Sequence, residues 1–214
     1  MTADTIDTID ALMARYVAGS LPFPAHVLVE SHLEIKPDNR AFVRGMEELA
    51  GTNLESGKAI DLGDRDRRLE AILGSAEPAE IRAPAPTKSV FPRALRDFLG
   101  FEVDDVPWRT KMPGFREYDL GDVEDCHVNL FWIRPGRPIP THTHDGLELT
   151  LVLDGAFTDV TGQYGRGDIS VANESVEHRP VADLGRPCIC FAVTDAPLRF
   201  TGTLRQRLTD IIGA

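Results

Sequence analysis

Gly136-Arg137-Pro138-Ile139-Pro140-Thr141-His142-Thr143-His144-Asp145-Gly146-Leu147-Glu148, followed by six residues and Gly155, decides how the rest of the chain is read. Side chains alternate across an extended strand, so His142 and His144 project to one face and Thr143 to the other. Asp145-Gly146 permits a tight turn, after which Glu148 can return a carboxylate to the side of the two imidazoles. Imidazoles and a carboxylate brought together in this way make a donor set for one divalent cation.

Around this stretch the hydrophobic period is near 2. Cys126 to Ile133, Leu149 to Leu153, Phe157 to Val160, Asp168 to Val171 and Pro187 to Val193 are short strand-like runs between Pro-Gly, Asp-Gly and Gly-rich turns. Many short strands at close spacing predict a sandwich or barrel. The spacing of Gly136, His142, His144, Glu148 and Gly155 resembles the first motif of the cupin family at every defining position. Gly167-Asp168 and His178 resemble part of the second motif, although Gly165 stands where that family often has proline and Ala182 lies near the place of its later asparagine. The resemblance implies a double-stranded β-helix (jelly-roll) barrel and adds His178 as a fourth ligand. Three imidazoles and one carboxylate suit zinc, iron, manganese or nickel, and zinc is the occupant expected of a sensor.

Ahead of the strands the period is near 3.6. Ile6, Ile9, Met13, Tyr16 and Val17 form the stripe of a helix over Asp4 to Ala18. A second helix opens at Leu21-Pro22-Phe23-Pro24 and closes before Pro37, a third runs from Asp38 to Ala50, and a fourth follows Asp64-Arg65-Asp66. Gly51 to Gly63 reads as a polar loop. Pro78, Pro84, Pro86 and Pro92 mark a Pro/Ala-rich link. The fold class is therefore α+β multidomain: a helical domain over residues 1 to 80, a linker over 81 to 92, and an all-β cupin over 93 to 214.

Composition excludes several functions. The net charge of -11 argues against direct nucleic-acid binding, which needs clustered Lys and Arg. Residues 1 to 80 carry 15 acidic and 8 basic side chains, a balance suited to a basic partner. There is no apolar window of the roughly 20 residues that a membrane helix requires, and the acidic start MTADTIDTID has no apolar leader core, so a cytoplasmic location is expected. Cys188 and Cys190 are two apart on one strand, roughly 6.6 Å along it, and a structural disulfide between them is not expected. They are candidates for a redox-sensitive pair beside the metal, with packing as small hydrophobes the blander role. His127 faces opposite to Cys126, Val128, Leu130 and Trp132 and is assigned to the surface or to the surroundings of the site.

Taken whole, the chain resembles the ChrR-type anti-sigma factors of bacteria. The likeness is carried by Asp10-Ala11-Leu12, Tyr16 to Leu21 and Glu30-Ser31-His32-Leu33, by the His142, His144, Glu148, His178 set, and by Cys188-x-Cys190. It implies N-terminal helices that sequester an extracytoplasmic-function sigma factor and a metal-binding cupin that responds to oxidative stress, with a homo-oligomer also compatible. One departure stands out. Where such helical domains hold zinc, this chain has Asp7, His32, Lys36 and Asn39, so no N-terminal zinc is expected. His32 is then an ordinary helix residue, and packing, for instance by Phe42, is the expected substitute for the lost staple. The competing expectation is a cupin metalloenzyme of dioxygenase type acting on a small organic substrate.

Overall fold

The computed structural model describes residues 8–75, 89–196 and 198–201. Ile6 and Asp7, and the expected linker over 81 to 88, lie outside the described residues. Five helices come first: α1 (Ile9–Val17), α2 (Phe23–Ile35), α3 (Arg40–Glu55), α4 (Arg65–Leu73) and α5 (Arg93–Leu99). Eleven strands follow: β1 (Arg109–Met112), β2 (Phe115–Val123), β3 (Cys126–Ile133), β4 (His142–His144), β5 (Glu148–Asp154), β6 (Ala156–Thr158), β7 (Gln163–Gly165), β8 (Ile169–Ala172), β9 (Val181–Ala182), β10 (Cys188–Thr194) and β11 (Leu198–Phe200). Among the described residues no helix is long and apolar enough to cross a membrane.

The strands form an antiparallel sheet in the order β1-β2-β3-β10-β5-β8, faced by a three-stranded sheet, β7-β6-β9, and the pair β11-β4. The cupin fold expected from the motif is therefore present, but the ladders do not close into a barrel. Its large sheet has two apolar faces. Val128, Leu130, Leu149, Leu151, Phe191 and Val193 lie on the outer face in one core with Leu12, Leu28 and Leu95 of the helices. Ile133, Val152, Cys188 and Cys190 lie on the inner face, packed with Phe157 and Ala182. Burial on both sides explains why β5 and β10 read as almost continuous apolar runs. Gly155, the last glycine of the opening motif, has φ of 71° and sits where a Cβ would come within 2.3 Å of the Pro187 carbonyl oxygen, so the chain reverses there only without a side chain.

Helix α2 packs against α5, β10 and β5. Phe98 of α5 bridges the layers, with ring centroids 5.7 Å from Phe23 and 6.1 Å from Phe191. Neither α5 nor the β1–β2 hairpin is evident in the sequence. The seven residues of α5 are too few for periodicity to register, and its N-terminus is capped from another element, the Glu34 carboxylate accepting from the N–H groups of Arg93 and Ala94 at 2.7 and 3.0 Å. Strand β1 is largely exposed and β2 carries an irregularity between Asp119 and Gly121, so their alternation is weak. Helix α3 also runs on to Glu55, which corrects the loop expected from Gly51. One glycine costs a helix only about 1 kcal/mol, and the Thr52 hydroxyl donates back to the Glu48 carbonyl within the continued turn.

His32 is not the ordinary helix residue expected. It is buried, and burial foremost lowers its pKa, leaving a neutral ring. Its Nδ1–H donates to the Gly167 carbonyl at 2.6 Å, and Nε2 accepts from Asn39 at 2.9 Å. Lys36, just past the end of the helix, pairs with Asp168 at 2.5 Å. Three positions at which the family resemblance would place zinc ligands thus form a polar clamp on the β7–β8 turn. Gly167 has φ of 89°, and a Cβ there would stand 2.8 Å from Ile35, so the turn slides under α2 because it is glycine. Phe42 is 41% exposed and does not supply the substitute packing. Replacing His32 by Ala leaves a buried carbonyl without its donor and is expected to cost about 1–3 kcal/mol in urea unfolding of the full chain. The half-exposed Lys36→Met is expected to cost under about 1 kcal/mol. Equal losses would show that the ion pair, rather than the imidazole, holds the clamp.

Candidate metal centre

Strand β4 presents His142 and His144 inward, while the Thr143 hydroxyl points the other way and donates to the Val176 carbonyl at 2.9 Å. His142 and His178 pair through both backbone hydrogen bonds, each 3.0 Å, so the two motifs are joined by their own main chains. Glu148 opens β5 on the inner face, opposite Thr194 of β10. The structure therefore brings together all four residues singled out in the sequence. Each offers one ligand atom, and the four atoms lie within 4.8 Å of one another in a buried setting.

The distances have the scale of a coordination shell. His178 Nε2 is 2.9 Å from His142 Nε2 and 3.2 Å from His144 Nε2, and Glu148 Oε2 is 3.4 Å from His144 Nε2. A tetrahedron with metal–nitrogen bonds of about 2.0–2.1 Å has edges of about 3.3 Å. Tautomers are set from outside. His142 Nδ1–H donates to the Pro140 carbonyl and His178 Nδ1–H to Asp159 Oδ2, both at 2.7 Å, which leaves each Nε2 with its lone pair turned inward. His144 Nδ1 is buried with no hydrogen-bond partner among the described residues.

Burial, then the neighbouring imidazoles, lowers His142 to about 4 and His144 to about 3, and burial pushes Glu148 up to about 7. Proton charge is thus excluded from a place where the Nε2 lone pairs of His142 and His178 face each other beside His144 Nε2, and a cation is a species that relieves their repulsion. The donor set suits a borderline divalent metal.

Asp159 is the functional residue that the sequence left unmarked. Its side chain is fully covered. Burial would raise its carboxyl, but hydrogen bonds from His178 and Thr161 outweigh that and hold it at about 2. Its other oxygen, Oδ1, accepts from Thr161 N and Gly162 N, so a polar turn of ordinary appearance carries the group that orients the His178 ring. The signal that could have found it, an Asp-x-Thr-Gly turn, is too common to be diagnostic. His127, as expected, faces away from the apolar outer set, held at the cavity mouth by Asp122 at 2.8 Å and Asp119 at 3.4 Å. Cys188 and Cys190 are free, with Sγ atoms 3.5 Å apart, and Cys190 is raised well above the ordinary thiol value by its hydrogen bond with Cys188 and by burial.

Residues 97–197 match the ChrR cupin-like domain family. The anti-sigma-E factor ChrR of Cereibacter sphaeroides is 39% identical over 198 residues, covering 91% of this chain and 92% of the relative. The crystal structure of Rhodobacter sphaeroides SigE in complex with the anti-sigma ChrR superposes with a TM-score of 0.73 at 37% identity, over 88% of this chain and 97% of the matched chain.

Substituting both His142 and His144 by Ala is expected to reduce metal content from one equivalent per chain to none by elemental analysis, with the chain still folded by circular dichroism. Asp159→Asn keeps a hydrogen-bond acceptor but removes the charge, and is expected to weaken metal binding about 10- to 100-fold in chelator competition. Unchanged affinity would reduce Asp159 to a turn residue.

Proposed function

Because this chain belongs to the ChrR family of anti-sigma factors, we propose that its N-terminal helices sequester an extracytoplasmic-function sigma factor in the cytoplasm while its cupin, holding one zinc ion through His142, His144, Glu148 and His178, senses oxidative stress. The observation that carries this reading is the apolar surface of α3, α4 and the segment between them. Leu54 is 82% exposed, Ile60 94%, Ile72 68% and Leu73 76%. Helix α4 buries none of its residues. A nine-residue helix with its apolar residues in water has little reason to persist alone, and a partner surface supplies the missing burial. The acidic balance of residues 1 to 80 favours encounter with a basic partner.

Zinc agrees with three nitrogens and one oxygen at tetrahedral spacing, and no redox change in the metal is needed for it to hold the strands together. In this reading the Cys188–Cys190 pair is the oxidisable group. A two-electron oxidant that enters the cavity would take both thiol hydrogens as the sulfurs close from 3.5 Å to about 2.05 Å. The reaction starts slowly, because thiolate is the nucleophile and burial keeps Cys190 protonated.

The reading is tested by co-purification of the full chain with an extracytoplasmic-function sigma factor from the same genome. Ile72→Asp with Leu73→Asp is expected to weaken the complex at least about 30-fold, as for central apolar contacts of an interface, without changing metal content or thermal unfolding. An undiminished complex would place sigma binding elsewhere.

A further inference from the structure

We propose that the cavity beneath the metal ligands binds a neutral, partly apolar small molecule bearing a hydrogen-bond donor, with the Asn129 amide oxygen turning to accept it. This deepens the sensor reading and rests on it, since it names the kind of molecule that the cupin admits.

The cavity encloses about 860 Å³, within the range of small-molecule sites. Strand register arranges its wall in rows. The first row runs His127, Thr194, Glu148 and Ala172 across β3, β10, β5 and β8, and includes a metal ligand. The next runs Asn129, Ala192, Thr150 and Ser170, and three of these four line the cavity with polar groups. Beyond them on the same sheet lie Phe131, Cys190, Ile133 and, on β2, Phe115, with Ile139 and Phe157 on the facing wall. Polarity therefore falls along the cavity from the metal ligands, through an amide and two hydroxyls, to an apolar end.

Asn129 is 7% exposed, and its Oδ1 is buried with no hydrogen-bond partner among the described residues. An unpartnered amide oxygen in such a place is costly, and a packed apolar side chain would serve the core better. Rotation about the broad terminal torsion of the amide turns that oxygen to the cavity, where a ligand N–H or O–H can meet it. The lining selects against anions. Glu117, Asp122, Asp125 and Asp195 stand against Lys111, and Lys111 is already paired with Glu117 at 2.7 Å. A cationic ligand is opposed by the bound cation at one end of the cavity and by apolar walls at the other. A neutral molecule meets neither barrier.

The test uses the metal-loaded full chain and N-phenyl-1-naphthylamine, a neutral aromatic probe with one N–H whose fluorescence rises in apolar surroundings. Saturable binding of one equivalent is expected, displaced by 1-octanol and at least tenfold less well by octanoate. Asn129→Leu, which removes the acceptor at similar volume, is expected to weaken the probe about three- to tenfold, and Met112→Trp, at the cavity wall away from the metal ligands, to block it. Metal content and unfolding temperature are read on each sample. A folded, metal-replete chain that takes up no probe, equal binding by both variants, or octanoate competing as well as octanol would overturn the proposal while leaving the metal reading intact. Probe uptake by a chain that holds no metal would overturn the metal reading alone.

Discussion

Three imidazole nitrogens and a carboxylate oxygen are forced into one buried volume, and the surrounding structure has to hold them there. Left to themselves, the neutral rings of His142 and His178 with lone pairs 2.9 Å apart repel, and charging the rings by protonation is opposed by burial. The convergence is maintained by rigid parts: a two-way backbone pairing of His142 with His178, the Pro140 carbonyl on one ring and Asp159 on another. A cation turns this arrangement from a liability into a cross-link between two sequence segments more than thirty residues apart, and binding free energy of that kind is also folding free energy.

The sheet that carries Glu148 is buried on both faces, and this couples the two parts of the chain. Its inner face is the cavity wall and its outer face is the floor on which α2 and α5 pack. Leu149, Leu151 and Leu153 therefore belong to the helical core while Glu148 and Thr150, their neighbours, belong to the cavity. The clamp of His32, Lys36 and Asn39 on the Gly167–Asp168 turn adds a directional element to this apolar contact. A metal staple within the helices would stabilise the helices alone. A polar clamp from helix to sheet makes their stability depend on the cupin.

The centre was legible because it is local and periodic. His-x-His on a strand, a turn, and a glutamate obey alternation, and the glycines at 136 and 155 mark chain reversals that only a special backbone permits. His178 was legible through a second motif of similar kind. What stayed hidden was tertiary. Asp159 acts through a contact with His178 nineteen positions away, Glu34 caps a helix some sixty residues on, and His32 meets the carbonyl of Gly167 on another element. None of these has a signature in its own neighbourhood. The lysine and asparagine at 36 and 39 could be read as the loss of a metal site, yet what replaced it required the position of the β7–β8 turn.

Helix α2 is where these separate contacts meet. His32 and Lys36 meet the cupin while Glu34 caps α5, and the continuation of α2 through Pro37–Asn39 leads into α3, whose outer residues remain exposed. On the cupin side, the turn that α2 grips follows β7, and β7 pairs with β6, whose end leads into the Asp159 turn holding His178. Any displacement of His178 that moves this hairpin therefore pulls on the Asp168 carboxylate, which already serves both Gly165 N–H and Lys36. Contiguity by itself does not establish coupling, which needs an element with two arrangements. The hairpin is the element placed to have them, because it is short, lies in the smaller sheet, and is tied at one end to His178 and at the other to the helix that leads into α3.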